Sequence, residues 1–329
     1  MTKAVFCAVV GVGVLLSAES HAAEKSEGLR MSEAAAVQPD DCELPAAFKS
    51  LWPAPNEVVF QPTTLQERAA FRALLPPLLS AARRGTELPA HLQQSAAKVG
   101  FTLEEWQHRG ERLWALTERA DARRGAGAYV IRVGEARDVA VQSPHAYYDV
   151  GTGVLGAALF VCAPEGLRPR AFLTNTSHRF RGRAGERRED PDHPADVAHN
   201  PDHLFQTATD LLAGSFPELR VVQLHGFGAK SAERERISAV VSGGTRAPAR
   251  WTRKVAVRLE RVLGEGVKLF PDQTELLGAT RNAQGRLLQL HPKTHFVHVE
   301  LSPQVRRALS SPDKVRALAE ALFDPEEGS

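Results

Sequence analysis

The sequence predicts an α/β fold: a mostly parallel or mixed sheet with helices on both faces, preceded by a small helical region. From about residue 128 onward, short β-branched runs alternate with helix-like runs, a pattern typical of strands connected through helices. Before that point the chain carries mainly helix signals. Ligands of such sheets bind beyond the carboxyl ends of the strands, so we expect a functional site there.

The first 23 residues are predicted to be a secretory signal peptide. Lys3 precedes an apolar run from Ala4 to Leu16, and Ser20-His21-Ala22 is typical of a cleavage site. The run is short for a membrane span, so we expect a periplasmic or secreted protein without stable membrane insertion. An uncleaved anchor is the alternative. Residues 24–41 are polar and alanine-rich without an apolar period, which predicts a disordered lead-in.

Residues 42–125 are predicted to form the helical N-terminal region. Thr64-Leu-Gln-Glu67 and Thr102-Leu-Glu-Glu105 both fit a capping box, in which a hydroxyl and a glutamate satisfy free amides at a helix start. Pro76-Pro77 and Pro89 are expected to separate two or three helices by turns. The α/β domain is expected to span residues 126–329.

The first two runs of the α/β domain, 128–133 and 138–142, are joined by Gly134-Glu135 and predict a β-hairpin. Strands and helices are then predicted to alternate. The predicted strands are 170–175, 220–224, 237–241, 267–270 and 296–301, and the predicted helices are 152–162, 202–212, 247–263 and about 312–322. The stretch 179–196 is rich in charge and lacks an apolar period, which predicts a long exposed loop.

Charge and cysteine content narrow the possible partners and compartments. The formal net charge of +2 gives no reason to expect a nucleic-acid partner. Of three cysteines, Cys7 lies in the predicted signal peptide. An oxidising compartment would permit a disulfide between Cys42 and Cys162, and two unlinked thiols are the alternative.

Histidine-bearing segments follow or end the predicted strands. His145 and Asp149 come after the strand 138–142, and His225 follows the strand 220–224. Imidazole nitrogens and carboxylate oxygens are good ligands for zinc. Gly226 lets the backbone turn close to a metal or substrate. Three protein ligands leave a fourth position for water, as in catalytic zinc sites.

Glu300 is the candidate catalytic base. In Phe296-Val-His298-Val-Glu300, strand alternation puts His298 and Glu300 on one side. A glutamate in an apolar strand is costly to bury unless it is used or paired. It can take a proton from water and return it to a leaving amine. A single histidine at a strand end is more often a hydrogen-bonded residue at the protein surface or its boundary than a metal ligand. The prediction of a metal site therefore depends on finding all four candidates together, namely His145, Asp149, His225 and Glu300.

The order of these motifs resembles the zinc carboxypeptidase-like amidohydrolases, particularly the N-formylglutamate amidohydrolase and poly-γ-glutamate hydrolase branches. Pro144-His145 is similar to the Pro-His start of the N-formylglutamate amidohydrolase motif, and the resemblance covers about residues 128–301. It implies a three-layer α/β/α fold of the phosphorylase/hydrolase-like type. It also implies one zinc held by His145, Asp149 and His225, with Glu300 as the catalytic glutamate. Family members commonly have glutamate where Asp149 stands, with a different spacing. His178 is therefore the alternative candidate for the second ligand in this sequence.

Substrates of that family carry carboxylates, which are positioned by paired hydrogen-bond donors such as those of an arginine side chain. Arg281-Asn282 is similar to the pairing by which zinc carboxypeptidases hold a terminal carboxylate, and Arg179, after His178, is the other candidate. The predicted substrate-binding residues are therefore Arg179, His178, Arg281 and Asn282. A solvated surface charge is the ordinary role of an arginine.

His199 and His203 also have metal-like spacing. Asn200 or Asp202 can cap the helix that follows them, so both histidines are expected to be residues of the helix start.

The sequence therefore predicts an exported zinc-dependent amidohydrolase or peptidase that cleaves an amide bond next to a carboxylate-bearing group. The predicted substrate is a small acylated or γ-linked amino acid or peptide. A zinc esterase or deacetylase is the enzymatic alternative. A secreted ligand- or metal-binding protein without catalysis, on the same fold, is the alternative of another class.

Overall fold

A computed structural model describes residues 42–55, 57–182, 193–228 and 236–324. The predicted signal peptide and lead-in lie outside these residues. No helix within the described part of the chain is both long and apolar enough to cross a membrane.

Nine strands of the described residues form one mixed sheet. They are β1 (Phe101–His108), β2 (Glu111–Glu118), β3 (Ala128–Arg132), β4 (Arg137–Ser143), β5 (Pro169–Thr174), β6 (Arg220–Gly226), β7 (Ala239–Ser242), β8 (Val267–Leu269) and β9 (His295–Leu301). Their order is β1-β2-β3-β5-β4-β6-β9-β7-β8. The central strands β5, β4, β6 and β9 are parallel, whereas β3 is antiparallel to β5 and β7 is antiparallel to β9.

Helices cover both faces of this sheet. They are α1 (Ala46–Lys49), α2 (Leu65–Arg83), α3 (Ala90–Lys98), α4 (Thr152–Cys162), α5 (Leu204–Ser215), α6 (Arg250–Leu263), α7 (Ala283–Leu288), α8 (Pro303–Ala308) and α9 (Pro312–Phe323). Helices α4, α6 and α9 pack on one face with Val222 and Leu224, while α2, α3 and α5 pack on the other with Val221. Because adjacent strand residues point to opposite faces, β6 contributes to both cores. The predicted α/β fold with a mixed sheet is confirmed.

The second predicted capping box is wrong, because residues 101–118 form the hairpin β1–β2. Phe101 and Leu103 are buried two residues apart, which is the spacing of a strand. The two turn residues, Arg109 and Gly110, have φ of 54° and 75°, the backbone of a tight two-residue hairpin turn. Burial of alternate side chains thus outweighs the local helix signal at Thr102. The first box, Thr64 with Glu67, is confirmed.

Pro76 and Pro77 do not end a helix, because α2 continues through both. A proline inside a helix costs about 3 kcal/mol, since it removes a hydrogen bond and crowds the preceding turn. Here Leu74, Leu75 and Leu78 are buried on either side of the prolines. Packing of these leucines therefore holds the helix together.

The predicted hairpin of residues 128–142 is also wrong. Strand β5 lies between β3 and β4, so the two strands joined by Gly134-Glu135 are not neighbours. Strand β3 pairs antiparallel with β2, Leu113 lying opposite Arg132. The sheet therefore crosses the predicted domain boundary near residue 125.

Cys42 and Cys162 lie in contact as free thiols. The Cys162 Sγ atom is 3.5 Å from the carbonyl oxygen of Cys42. The residues before α1 thus meet the end of α4.

Candidate metal centre

The residues predicted to hold a metal converge at the carboxyl ends of the parallel strands. His145 follows β4, His225 is the second-last residue of β6, and Glu300 is the second-last residue of β9. His225 and Glu300 are direct partners in the β6–β9 register. Parallel strands therefore bring together side chains that are far apart in sequence.

A single turn of backbone positions His145 and Asp149. The Asp149 amide donates to the His145 carbonyl oxygen at 2.8 Å. Residues four apart in such a turn lie on the same side, and the Nδ1 atom of His145 is 3.4 Å from Oδ2 of Asp149. The hydroxyl of Thr152 donates to the Asp149 carbonyl oxygen at 2.8 Å and ties this turn to the start of α4.

His225 completes a cluster of three buried potential ligands. Its Nδ1 atom lies 3.2 Å from the same Oδ2 atom of Asp149. The ligand atoms of His145, Asp149 and His225 all lie within 4.8 Å of one another. A second such group among the described residues, His225, His298 and Glu300, shares His225 with the first.

Burial and charge act against each other in this cluster. Burial raises the pKa of Asp149, but hydrogen bonds with His145 and His225 outweigh it and hold the pKa well below its usual range. Burial lowers the pKa of His225 to about 4. Burial also lowers the pKa of His145, but the charge of Asp196 outweighs it and the pKa is raised. The cluster thus holds a carboxylate beside a neutral His225 at neutral pH.

Asp196 is a site residue that the sequence did not reveal. It lies at the end of the stretch 179–196, for which an exposed loop was predicted, yet it is fully buried. Its Oδ1 atom accepts from Nε2 of His145 at 2.7 Å. A carboxylate on the far nitrogen of a metal-binding histidine fixes the ring and makes it a better ligand. In the sequence, the apolar neighbour Val197, which is also fully buried, was the feature that indicated burial at this position.

Arg179 lies beside His145, as expected for a residue of the site. Its guanidinium donates to Asp196 and lies 3.4 Å from Nδ1 of His145. It also lies over the rings of Tyr148 and Phe180, at 5.1 and 4.8 Å from their centroids. These contacts hold a positive charge at the rim of the cluster.

Glu300 has the surroundings expected of a proton-transfer group. Its Oε2 atom is buried without a hydrogen-bond partner among the described residues, and Oε1 lies 3.7 Å from Nε2 of His298. Burial, reinforced by the charge of Asp149, raises the pKa of Glu300 to about 8. The carboxyl group therefore holds its proton more tightly than an exposed glutamate does.

Arg306, on α8, is a second site residue that sequence reasoning missed. A side chain at Gly226 would collide with its guanidinium, so the absence of a Cβ atom there makes room for the arginine. Burial lowers the pKa of Arg306, and the charges of Asp149 and Glu300 act in the opposite direction. The sequence indicates this position of Arg306 only weakly, through the short helix that begins directly after β9.

His178 does not take the place of Asp149. The structure leaves it half-buried, with Nδ1 accepting from the backbone amide of Phe180 at 3.2 Å. Its ring lies edge-on to Tyr148 at 5.7 Å. His178 belongs to neither group of candidate ligands in the described part of the chain. Asp149 is therefore the carboxylate of the cluster.

Asn282 is not available to a substrate, contrary to the prediction. Its side chain is 3% exposed, caps the start of α7 and donates to Gln223 at 2.6 Å. Both the oxygen and the nitrogen of its side-chain amide are therefore engaged within the protein. Arg281, the residue before it, is exposed, and its role in substrate binding stays a prediction.

His203 itself caps α5, rather than Asn200 or Asp202. Its Nδ1 atom accepts from the Phe205 amide at 3.0 Å, and Nε2 donates to the Gly125 carbonyl oxygen at 2.8 Å. His199 instead contacts the site indirectly, since its Nδ1 atom is 3.0 Å from Oδ2 of Asp196.

The donor set fits a metal such as zinc. Two imidazole nitrogens and one carboxylate oxygen converge, which is a frequent ligand combination for zinc. Buried polar atoms normally have partners, yet Nδ1 of His298 and Oε2 of Glu300 have none among the described residues. Both residues belong to the second candidate group, which shares His225 with the first.

No family model matches the sequence, and no curated protein matches it. Solved structures that are similar include a bacteriophage poly-γ-glutamate hydrolase, at 15% identity and a TM-score of 0.36, over 60% of this chain and 86% of that one. N-formylglutamate amidohydrolase from Ralstonia eutropha matches at 15% identity and a TM-score of 0.35, over 57% and 95%. Succinylglutamate desuccinylase from Chromobacterium violaceum matches at 17% identity and a TM-score of 0.41, over 71% of this chain and 74% of that one.

Both branches that the motif order resembles are thus among these solved structures.

Proposed function

We propose that this protein is an exported zinc-dependent amidohydrolase or peptidase, which cleaves an amide bond next to a carboxylate-bearing group. The observation that carries the proposal is the convergence of His145, Asp149 and His225 with the unpartnered carboxyl group of Glu300 beside them. Structural ion pairs seldom leave a buried carboxyl oxygen without a partner. Such an arrangement is typical of a site that binds a metal and transfers a proton.

His145, Asp149 and His225 would hold the metal. Zinc bound by three such ligands lowers the pKa of water and polarises a carbonyl group. Asp196 orients His145 through Nε2 and leaves Nδ1 facing Asp149. The protein residues thus keep the ligand atoms in place.

Glu300 is the proposed general base. Its pKa of about 8 allows the group to accept and to give a proton near neutral pH. In the proposed reaction, Glu300 accepts a proton from the attacking water and returns it to the leaving nitrogen. The nearby charge of Arg306 favours the ionised form of Glu300.

The proposed substrate class follows from two arginines. Arg179 lies on the His145 side of the cluster, and Arg306 lies on the Gly226 side. Each offers a positive charge near the reacting groups, and arginine binds carboxylates well because its N–H groups match their geometry. This supports a small acylated or γ-linked amino acid or peptide as substrate.

Glu300→Gln is the variant that tests the proposal. It should retain bound zinc and lose about 10²- to 10⁴-fold in kcat on a panel of N-acylated and γ-linked glutamates. Glu260→Gln is the matched control, because Glu260 is exposed on α6, and its activity should equal that of the wild type.

Other outcomes separate the alternatives. Equal inertness of the wild type and Glu300→Gln on the panel, with zinc bound to both, would favour a non-catalytic binding protein. Turnover of acyl esters without turnover of the matching amides would favour the esterase or deacetylase alternative.

A further inference from the structure

We propose that the protein has a second binding site, at the edge of the sheet opposite the metal centre, for a small molecule that carries two or more carboxylate or phosphate groups. The site is a surface cavity of about 620 Å³. This volume lies within the usual range for small-molecule sites. The proposal does not depend on the proposed function, because the residues that line the cavity are not those of the candidate metal centre.

The amino ends of three parallel strands meet at this cavity. Arg137 begins β4, Arg220 begins β6 and His295 begins β9. In the register of the sheet, Arg220 lies opposite both Val139 of β4 and His295 of β9. The candidate metal ligand His225 follows Arg220 on β6 by five residues. At about 3.3 Å per residue, the cavity and the metal centre are therefore roughly 17 Å apart.

The cavity lies on the face of the sheet that α6 and α9 cover. Val139, Trp251 at the start of α6 and Phe323 at the end of α9 are buried and give the cavity an apolar wall. The Arg220 guanidinium lies 5.5 Å from the centroid of the Trp251 ring, and the His295 ring centroid lies 5.8 Å from that of Trp251. Contact with one buried aromatic ring thus positions two of the polar side chains in advance of a ligand.

The charged side chains of the lining are mainly cationic. The cationic ones are Arg137, Arg220, Arg250 and Lys293, and the acidic ones are Asp138 and Glu218. The lining as a whole therefore carries an excess of two positive charges at neutral pH. In addition, Arg170, which is not a lining residue, lies 4.0 Å from the carboxylate of Asp138 and offsets its charge. A cavity with this balance favours an anionic ligand.

The cationic side chains come from separate segments, which favours a ligand with more than one anionic group. Arg137 and Arg220 lie on the sheet, Arg250 lies on α6, and Lys293 lies in the loop before β9. A guanidinium group binds one carboxylate or phosphate through paired N–H groups. A ligand with two or more such groups can therefore bind cations of the sheet and of α6 at the same time.

The start of α6 adds two features that favour an anion. Trp251 is 1% exposed, and its indole nitrogen has no acceptor among the described residues. This nitrogen can only donate, and a buried donor normally has a partner, which an oxygen of the ligand would supply. Ala249, the residue before α6, has no side chain that can cap the helix. The amide groups at an uncapped helix start attract anions.

Isothermal titration calorimetry of the wild type at low ionic strength tests the site with three probes. Tricarballylate carries three carboxylates, pyrophosphate carries two phosphoryl groups, and acetate carries one carboxylate. We expect at least one polyanion to bind with a Kd below about 1 mM, and acetate to bind at least about 10-fold more weakly. The tighter polyanion identifies the type of group that the site prefers. Binding of neither polyanion, or equal binding of acetate, would overturn the proposal.

A double variant then locates the ligand in the cavity. Arg250 and Lys293 are exposed, so replacing both with glutamine removes the excess charge and leaves the core intact. We expect the Kd of the polyanion to rise at least about 10-fold. The matched control replaces Lys98 and Arg261, two exposed cations outside the lining, with glutamine and should keep the wild-type Kd. Equal weakening in both double variants would show attraction by overall charge and contradict a specific site.

Arg306→Met distinguishes the cavity from the metal centre, where carboxylates are proposed to bind near Arg306. A polyanion in the cavity should bind to Arg306→Met as it does to the wild type. Loss of binding in Arg306→Met, with binding retained in the Arg250 and Lys293 double variant, would place the probe at the metal centre and overturn the second site. Chelation of a bound metal by a probe would affect the wild type and both double variants equally. Thermal unfolding checks that each variant is folded.

Discussion

The carboxylate of Asp149 lies 3.2 Å from Nδ1 of His225, although the two residues come from the ends of different strands. The same oxygen lies 3.4 Å from Nδ1 of His145. One carboxylate oxygen therefore lies between two imidazole nitrogens, each with its other nitrogen hydrogen-bonded, to Asp196 and to Gln223 respectively. This relationship is the basis of the metal proposal.

Asp196→Asn should weaken metal binding without removing a ligand. The carboxylate of Asp196 accepts from Nε2 of His145 and makes that ring a better ligand, so its neutral replacement should raise the zinc Kd about 10- to 100-fold. Isothermal titration calorimetry measures the change. Asp202→Asn is the control, since the side chain of Asp202 is 75% exposed, and an equal loss of affinity in the control would contradict the assigned role.

Arg306→Met should impair binding of carboxylate-bearing substrates. A charge-assisted hydrogen bond is worth about 1.5–3 kcal/mol, so we expect kcat/KM to fall roughly 10- to 100-fold. The neighbouring Arg307 is exposed, and Arg307→Met serves as the control. Neutral amide analogues of the same substrates should lose much less. A uniform loss on charged and neutral substrates would show that Arg306 does not recognise the carboxylate.

His203 should make stability depend on pH. Burial lowers its pKa from the ordinary 6.5 to about 4, so between these values the unfolded chain binds a proton that the folded chain does not. Stability from this group is complete above pH 6.5 and is lost as the pH falls towards 4. The total loss is about 3 kcal/mol.

Urea unfolding between pH 7.5 and about 4 measures this contribution. His203→Asn keeps a capping side chain but cannot titrate, so its stability should fall less with decreasing pH than that of the wild type. His91→Asn, at an exposed position, should retain the wild-type slope. Identical slopes for all three proteins would contradict the assignment.

The alternating part of the chain was predictable from local pattern, because buried strands and amphipathic helices carry their own periodicity. The strand ends at His145, His225 and Glu300 follow from that pattern and from the parallel pairing it implies. By contrast, insertion of β5 between β3 and β4 is a long-range pairing, and no local feature at Gly134-Glu135 encodes it.

Other features depended on tertiary packing. Thr102 begins a sequence that fits a helix start, and only burial of Phe101 and Leu103 on one sheet face makes it a strand. Asp196 lies in a charged stretch, where sequence cannot tell one buried carboxylate from several exposed ones. Arg306 reaches the site because Gly226 leaves room for it, a steric relation between two elements.

Cys42 and Cys162 should form a disulfide under oxidising conditions. Their contact across the fold would close a loop of more than 100 residues, worth on the order of 4 kcal/mol in the chain-entropy model. The two thiols would give two electrons and two protons to oxidised glutathione. Burial raises the pKa of the Cys162 thiol, so the half-buried Cys42 is expected to react first.

Intact-mass measurement before and after incubation with oxidised glutathione detects the bond as the loss of two hydrogens. Cys42→Ser should show no such loss and no gain in resistance to urea. Two free thiols in the wild type after oxidation would refute the prediction.

The metal content of protein purified without chelator tests the central claim most directly. Elemental analysis at neutral pH should find about one zinc per wild-type chain and almost none in Asp149→Asn, whereas His298→Leu should retain zinc because His298 lies outside the proposed ligand set. Loss of zinc in His298→Leu but not in Asp149→Asn would move the metal to the neighbouring group. Less than about 0.2 zinc per wild-type chain would contradict the account.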